Sequence, residues 1–344
     1  METQGSGTHS VDQLTTAQAV LQRLKQAVQA KVIGRDEVVE LTLIALIADG
    51  HVLLEDFPGS GKTTLAKALG EAIVDDQERH AGSDNPPIAA FRRIQFTPDL
   101  LPSDVTGSAI FDASTNAFHF RHGPIFAHVV LADEINRTSP KVQSAMLEAM
   151  GEKQVTVDNR TYALDPLFFV IATQNPLDLV GTYPLPTPQL DRFLFKIIMR
   201  HIDRDAELQV LDTWQQRRDQ SSSTIKVGRN EILAARAAID EHVYISDSIK
   251  SALVDISRNL RHDERVLQGN STRSLVLSLP ALQVLASLRG RPYVSADDLE
   301  SLLPHILGHR VELAPGVSDF NKVLRDCMRE PIEQLARSTL KASA

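Results

Sequence analysis

The stretch Gly59–Thr64 carries the residue types that bind the phosphates of a nucleotide. Its glycines let backbone N–H groups converge on phosphate oxygens, because no Cβ stands in the way. Lys62 would supply a positive charge to those phosphates, and the Thr63 hydroxyl would be a ligand for Mg²⁺. The full pattern has glycine at position 56, where this chain has Asp56. An ordinary glycine turn between a strand and a helix is the alternative interpretation.

Two adjacent carboxylates, Asp133 and Glu134, follow the apolar run 129–132. A strand that ends in acidic residues is expected near a phosphate-bound Mg²⁺. We predict that Asp133 holds the ion, directly or through water, and that Glu134 polarises the water that attacks the γ-phosphorus. The alternative is an acidic pair at the N-terminus of the helix Pro140–Met150. Together with the glycine-rich loop, the pair favours nucleoside triphosphate hydrolysis.

Two further polar residues lie at the ends of apolar runs. Asn175 would lie at the same edge of a parallel sheet as the glycine loop, where it could orient the attacking water or contact the γ-phosphate. A simple Asn-Pro turn is the alternative there. Arg192 is either a surface charge or an arginine that reaches the γ-phosphate of a neighbouring subunit.

Five short apolar runs alternate with helical patterns, which predicts an α/β fold with a five-stranded parallel sheet covered on both faces. The runs are His51–Leu54, Phe91–Phe96, Val129–Ala132, Phe168–Ala172 and Phe193–Ile198. Two stretches, Ser108–Gly123 and Gln154–Leu164, alternate around short turns and are predicted to be β-hairpin inserts. Phe111, Phe118 and Phe120 on the first hairpin form either its packing face or a contact surface for a client protein.

Changes in pattern divide the chain into three parts. Residues 1–14 are polar and lack an apolar period, so they are expected to form a flexible tail. Residues 15–199 hold the predicted α/β core. Residues 200–344 show helical patterns with short turns, which predicts an all-α second domain.

Composition narrows the functional classes. The chain has 344 residues, 36 basic and 44 acidic, and a net charge of −8, which does not support a strongly basic nucleic-acid binder. A single cysteine, Cys327, fits a reducing compartment. The apolar runs are far shorter than the roughly 20 residues that span a bilayer. These features predict a cytoplasmic protein without a membrane span.

Over residues 32–303 the chain resembles the MoxR family of AAA+ ATPases. The matching strings are VIGRDEVVE, GHVLLEDFPGSGKT, RIQFTPDLLPSDVTG, VVLADEINR, SAMLEAMGEKQVTV, FFVIATQNP, TYPLPTPQLDRFLFKI and RGRPYVSADDLE. The strings FTPDLLPSDVTG and ATQNP are far more specific than a phosphate-binding loop alone. Family members commonly carry Glu-Asp or Glu-Gly before the Pro-Gly pair, so Asp56 is a family trait.

The resemblance implies a role for each matching residue. Gly59, Gly61, Lys62, Thr63 and Thr64 match the Walker A motif, Asp133 and Glu134 match Walker B, Asn175 matches sensor 1, Arg192 matches the arginine finger, and Arg273 matches the sensor 2 arginine. On the same strings we assign Val32, Ile33, Pro58 and Ser60 to the residues that bind ATP, with Thr63 and Asp133 on Mg²⁺.

The resemblance also implies a mechanism. ATP and Mg²⁺ would lie between the α/β core and the helical lid, and Arg192 would act in trans within a hexameric ring. Whether Arg273 acts in cis or in trans stays open. The two hairpins would face the ring axis and contact substrates. The implied role is chaperone-like remodelling of protein complexes or metal-cofactor maturation, often with a von Willebrand factor A (VWA) domain partner.

Two other functional classes share this architecture. The first is a DNA-engaged motor, which the acidic balance and the lack of a helix-turn-helix or zinc module disfavour. The second is the ATPase subunit of a metal chelatase, which only its partner would distinguish. A scaffold that does not use nucleotide would leave Lys62, Asp133, Glu134 and both arginines without a role.

Overall fold

The structure is a computed structural model that describes residues 5–55, 59–76, 88–114, 116–175, 181–213, 215 and 225–342. Asp56 and Pro58, two residues of the predicted Walker A loop, lie outside the described residues.

A five-stranded sheet forms the centre of the molecule, and its neighbouring strands all pair in parallel. In spatial order the strands are β10 (Phe195–Ile198), β1 (Val52–Glu55), β9 (Phe169–Gln174), β6 (Ala127–Asp133) and β3 (Ala89–Gln95). The sheet confirms the predicted fold class. Because all five strands run the same way, the residues that follow them meet at one edge of the sheet.

Successive residues of the central strands pack into two different hydrophobic cores, because side chains alternate between the faces of a strand. On β1, Val52 and Leu54 belong to the first core and Leu53 belongs to the second. On β9, Phe169 and Ile171 belong to the first core. Both faces of the sheet are therefore apolar, which explains why the strands appear in the sequence as short continuous apolar runs.

Helices cover both faces of the sheet. The helices up to residue 212 are α1 (Gly5–Gln29), α2 (Asp36–Ile47), α3 (Lys62–Ala72), α4 (Pro102–Thr106), α5 (Pro140–Glu152), α6 (Thr187–Leu190) and α7 (Arg204–Asp212), with a 3₁₀ turn at Ile135–Arg137. Side chains of α1, α2 and α3 enter the first core, and those of α4 and α5 enter the second.

The expected flexible tail is corrected by the structure, in which α1 begins at Gly5. Leu14, inside the predicted tail, is buried together with Ala17 and Leu21. These residues are spaced at i, i+3 and i+7, so the apolar stripe of the helix starts earlier than the sequence analysis placed it. Polar residues cost a helix less than about 1 kcal/mol each, so the helix can continue past the stripe towards its N-terminus.

Both predicted hairpins are confirmed. The first pairs β4 (Gly107–Asp112) with β5 (Ala117–His122), and the second pairs β7 (Gln154–Val157) with β8 (Arg160–Ala163). Phe120 of the first stacks on Tyr162 of the second, with ring centroids 3.8 Å apart. Phe111 and Phe118 pair with each other at 5.2 Å and are exposed. Thus Phe120 packs between the hairpins, whereas the other two rings remain available for contact.

The region after α7 is helical, with short strands that the sequence analysis did not predict. The helices are α8 (Arg229–His242), α9 (Asp247–His262), α10 (Thr272–Leu288), α11 (Ala296–Leu307) and α12 (Phe320–Ala342). The strands of this region are β11 (Val227–Gly228), β12 (Val266–Gln268) and β13 (Glu312–Leu313). β12 pairs with β13, and β11 pairs with β2 (Ile73–Val74), which follows α3 in the α/β part.

The first core continues from the α/β part into these helices. The domain boundary at residues 199/200 therefore stays a prediction, because the apolar packing does not stop there. Among the described residues, none of the helices combines the length and apolar character that a membrane span needs.

Candidate functional site

The predicted phosphate-binding loop leads directly into α3. Gly59 and Gly61 have φ of +92° and +93°, a left-handed backbone that only glycine adopts readily. Gly61 is the N-cap of α3 and Lys62 is its first residue. Thr63 lies exposed in the same turn. Since the first turn of a helix has unpaired N–H groups and the positive end of the dipole, this geometry suits a phosphate.

A cavity of about 360 Å³ lies beside this loop, within the range of small-molecule sites. Part of its lining comes from the loop, part from the connection between α1 and α2, and part from the segment that follows β10. The lining includes Gly59, Ser60, Gly61, Thr64, Val32, Ile33, Met199, Ile202 and Val210. The structure thus brings the predicted Val32 and Ile33 to the loop and adds the apolar residues beyond β10, which the sequence analysis missed.

Asp133 and Glu134 lie at the same edge of the sheet as the loop. Asp133 ends β6 and is buried, and Glu134 follows with φ of +58°. Thr173 on the adjacent β9 holds both residues. Its Oγ1 donates to Asp133 Oδ1 at 2.7 Å and accepts from the Glu134 N–H at 2.8 Å. Since α5 begins only at Pro140 after the N-cap Ser139, the acids do not cap that helix.

Two side chains of β3, which the sequence analysis did not single out, contact the carboxylates. Arg93 donates to Asp133 Oδ2 from Nε at 3.1 Å and from Nη2 at 2.5 Å. Gln95 donates to Glu134 Oε2 at 2.8 Å and accepts from Arg93 Nη2 at 2.7 Å. The contacts link both acids to β3. In the sequence, the signal for Arg93 and Gln95 is that polar residues alternate with apolar ones in this strand.

Asn175 directly follows β9, which lies between β1 and β6 in the sheet. It is therefore at the same edge as the loop and the acidic pair. Its role at the γ-phosphate stays a prediction, and Pro176, on which the alternative Asn-Pro turn depends, lies outside the described residues.

Arg192 lies at the opposite edge of the sheet. Phe195, the first residue of β10, pairs with Val52, the first residue of β1. Arg192 precedes that end, whereas the phosphate loop follows the other end of β1, roughly 13 Å further along a four-residue strand. Its Nη1 donates to the Leu147 carbonyl of α5 at 2.7 Å. Arg192 is therefore remote from the phosphate loop of its own chain.

Arg273 lies beside the segment that carries Arg192. It is in the first turn of α10, two residues after Ser271, whose Oγ donates to Asp191 Oδ2 at 3.4 Å. Burial lowers the pKa of Arg310, and the like charge of Arg273 lowers it further, whereas the hydrogen bond to Asp191 raises it. Arg192 and Arg273 thus both lie at the edge away from the chain's own phosphate loop.

The residues at the loop edge fit a Mg²⁺–ATP complex. Mg²⁺ prefers oxygen ligands, and the exposed Thr63 hydroxyl and the Asp133 carboxylate offer them. A carboxylate has about four acceptor positions, so the hydrogen bonds from Thr173 and Arg93 leave room for the ion or for one of its waters. The turned loop and the adjacent cavity suit the phosphates and the rest of the nucleotide.

Comparisons with protein families match both parts of the chain. The ATPase family associated with various cellular activities (AAA) matches residues 51–195, which contain the loop, the acidic pair, Asn175 and Arg192. The AAA lid domain matches residues 258–325, which contain Arg273 and Arg310.

Individual relatives match along most of their length. An uncharacterised protein, YeaC of Bacillus subtilis, is 45% identical over 82% of this chain and 84% of its own. Chaperone MoxR1 of Mycobacterium tuberculosis is 33% identical over 85% of this chain and 76% of its own. The crystal structure of a proposed ATPase from Cytophaga hutchinsonii has a TM-score of 0.81 and 32% identity, and covers 94% of this chain and 97% of its own.

Proposed function

This chain belongs to the MoxR family of AAA+ ATPases, and on that premise we propose that it hydrolyses ATP in a ring of identical subunits to remodel protein complexes. One observation carries the proposal. The phosphate loop, the acidic pair and Asn175 share one edge of the central sheet, while Arg192 and Arg273 share the opposite edge.

The hydrolytic step uses the residues of the loop edge. Glu134 accepts a proton as water attacks the γ-phosphorus, and the bond to the β–γ bridging oxygen breaks to give ADP and phosphate. Lys62 and the N–H groups of the loop stabilise the negative charge of the phosphates, and Asn175 orients the water. Mg²⁺, held by Thr63 and Asp133, would neutralise charge on the phosphate oxygens.

A substitution in the loop tests this assignment. Lys62→Ala removes the charge on the phosphates, and we expect ATP binding and hydrolysis to be lost. Lys67→Ala is the matched control, since Lys67 lies on the same helix with a side chain 60% exposed and pairs only loosely with Glu71 at 3.6 Å. Normal hydrolysis by Lys62→Ala would rule out the site.

Assembly follows from the two edges. An arginine at the edge away from its own nucleotide can stabilise the transition state only at the nucleotide of a neighbouring subunit. We therefore propose that the subunits pack head to tail in a ring, a hexamer as in the family. Arg273 follows by two residues the Ser271 that bonds Asp191, which favours action in trans for Arg273 as well.

Mixing two inactive variants tests the shared site. Arg192→Ala has an intact loop edge without the arginine, and Glu134→Gln has the arginine but cannot activate water. We expect each alone to bind nucleotide and turn over at least about 100-fold more slowly, and the mixture to regain activity. Full activity of Arg192→Ala alone at every protein concentration would refute the trans role.

The two hairpins suit contact with a protein client. They form one unit through the stack of Phe120 on Tyr162, and they expose Phe111 and Phe118. We propose that ATP-driven movement reaches a protein complex, including complexes under metal-cofactor maturation, through this unit. A VWA-domain protein is the expected partner. We expect the complex to act in the cytoplasm.

The client is identified by trapping. Glu134→Gln should hold ATP and retain the client in an affinity capture, and Phe111→Ala in the same background should reduce capture without changing nucleotide affinity. Lys67→Ala in that background is the control. Recovery of a VWA-domain protein supports the proposal, whereas ATPase activity that depends on DNA and falls with salt would support the motor instead.

A further inference from the structure

One buried guanidinium in the lid holds the segment that carries Arg192. Arg310 follows α11, and its side chain is 2% exposed. Its acceptors are Asp191 Oδ1 at 2.6 Å, the carbonyls of Asp191 at 3.2 Å, Phe193 at 2.7 Å and Leu194 at 3.1 Å, and the Ile306 carbonyl of α11.

The residues around Arg192 are thus tied to the lid. Arg310 bonds the residue before Arg192 and the two residues after it. His309 Nε2 also bonds the Phe193 carbonyl at 3.0 Å, and burial, together with the charge of Arg310, lowers the pKa of His309 to about 3. A neutral imidazole donates one hydrogen bond to that carbonyl without adding charge.

The side chain of Arg192 itself points to a different element. It donates to the Leu147 carbonyl of α5 and lies against Gly151, where a Cβ would collide with its Nη1. The base of Arg192 therefore belongs to the lid contacts, and its tip rests on the α/β core. A shift of the lid relative to the core would move the base and displace the tip.

We propose that Arg310 is the positioning residue of Arg192 and transmits the position of the lid to it. The inference rests on the proposed trans role of Arg192. The physical reason is the number of acceptors that one rigid guanidinium binds. A guanidinium carries five N–H donors in a fixed plane, and breaking these bonds would leave several buried carbonyls without partners. A movement of the lid would therefore pull on residues 191–194, against the hydrogen bond that the Leu194 N–H donates to the His51 carbonyl of the α/β part at 2.8 Å.

This coupling links neighbouring sites. The nucleotide cavity includes residues beyond β10, in the connection that runs towards the helical part. A change of lid position in one subunit would move the arginine that this subunit presents to the next. Arg273, close enough to Arg310 for its charge to act on it, would move with the same body.

The test uses a subunit that cannot hydrolyse ATP itself, called the donor subunit, and measures how well it supplies Arg192 to the active site of its neighbour. The reference mixture combines Arg192→Ala, which supplies the active site, with Glu134→Gln, which supplies the arginine. Arg310→Lys is then added to the Glu134→Gln chain. Lysine keeps the charge but loses the planar fork, so we expect the activity of the mixture to fall about tenfold or more, with nucleotide affinity of the donor and KM for ATP unchanged.

Two further variants separate positioning from folding. Asp191→Asn keeps Arg310 and its bonds to the carbonyls and weakens a single ion pair, so we expect a smaller loss in the same direction. Arg289→Lys is the matched control, because Arg289 forms another lid ion pair, with Asp298 at 2.8 Å, away from Arg192. Thermal unfolding and light scattering check that each donor is folded and assembles.

The outcomes are distinct. An inactive reference mixture would refute the trans role of Arg192 and, with it, this inference. An active reference mixture that is equally active with Arg310→Lys and with Asp191→Asn donors would refute the positioning role alone. Loss of activity with Arg310→Lys but not with Arg289→Lys, at unchanged KM, supports it.

Discussion

Thr173 should be essential for the acidic pair even though it does not touch the nucleotide in the proposed mechanism. Its hydroxyl is fully buried and bonds both Asp133 and the backbone of Glu134. Thr173→Val keeps the shape of the side chain but removes the hydroxyl. The buried carboxylate then loses a donor, and the Glu134 N–H loses its acceptor.

The expected magnitude follows from these two bonds. A hydrogen bond to a charged group contributes about 1.5–3 kcal/mol and a neutral one about 1 kcal/mol, so the free energy of unfolding should fall by about 2–4 kcal/mol. Part of this free energy holds Glu134, which has a left-handed backbone, in the orientation that the transition state needs. Since every 1.4 kcal/mol of transition-state energy is tenfold in rate, we expect kcat to fall by about 10- to 100-fold.

Thr173→Ser is the matched control, because it keeps the hydroxyl and removes one methyl group, at a cost of about 1 kcal/mol. The assay is phosphate release at saturating Mg²⁺–ATP, with urea unfolding for stability and a fluorescent nucleotide for affinity. A Thr173→Val protein that turns over within about twofold of Thr173→Ser would refute the positioning argument.

Three further predictions concern parts of the molecule away from the loop. Arg229→Ala should lower the free energy of unfolding by about 3 kcal/mol, with nucleotide affinity unchanged. The buried carboxylate of Asp165 loses its arginine partner at 2.9 Å and keeps the Leu167 N–H at 2.8 Å and His128 at 3.4 Å; urea unfolding measures the loss. Gly151→Ala should keep or raise the melting temperature, since alanine favours a helix by up to about 1 kcal/mol, but lower turnover of the assembled protein by displacing Arg192. Burial lowers the pKa of His51 to about 4, so only the unfolded chain binds that proton between pH 6.5 and 4. Stability should therefore fall as the pH drops through this window, by up to about 1.4 kcal/mol per pH unit, and His51→Gln should reduce the slope.

Motifs contained in one short stretch were predictable. The turn at Gly59 and Gly61 depends on the conformational freedom of glycine, and the start of α3 at Lys62 depends on the pattern that follows it. The parallel sheet was predictable because strands buried on both faces are short continuous apolar runs. The start of α1 was not, since polar residues permit both a tail and a helix.

Contacts between distant strands could not be predicted from one sequence. Thr173 bonds Asp133 and Arg93 bonds the same carboxylate, each from a position 40 residues away in the chain. Arg310 reaches Asp191 across 119 residues. No local pattern indicates which strand lies beside which, because that depends on the packing of the whole domain.

The sequence by itself predicted the chemistry available to this protein: a phosphate loop, an acidic pair, and two arginines, of which Arg192 was expected to act in trans and Arg273 was left open. Only the tertiary structure decided that Arg192 and Arg273 lie together at the opposite edge of the sheet. The physical reason is that backbone preferences act over a few residues, whereas the strand order and the position of the lid depend on the burial of residues that are far apart in the chain. The separation of Arg192 and Arg273 from their own phosphate loop is a result of that burial.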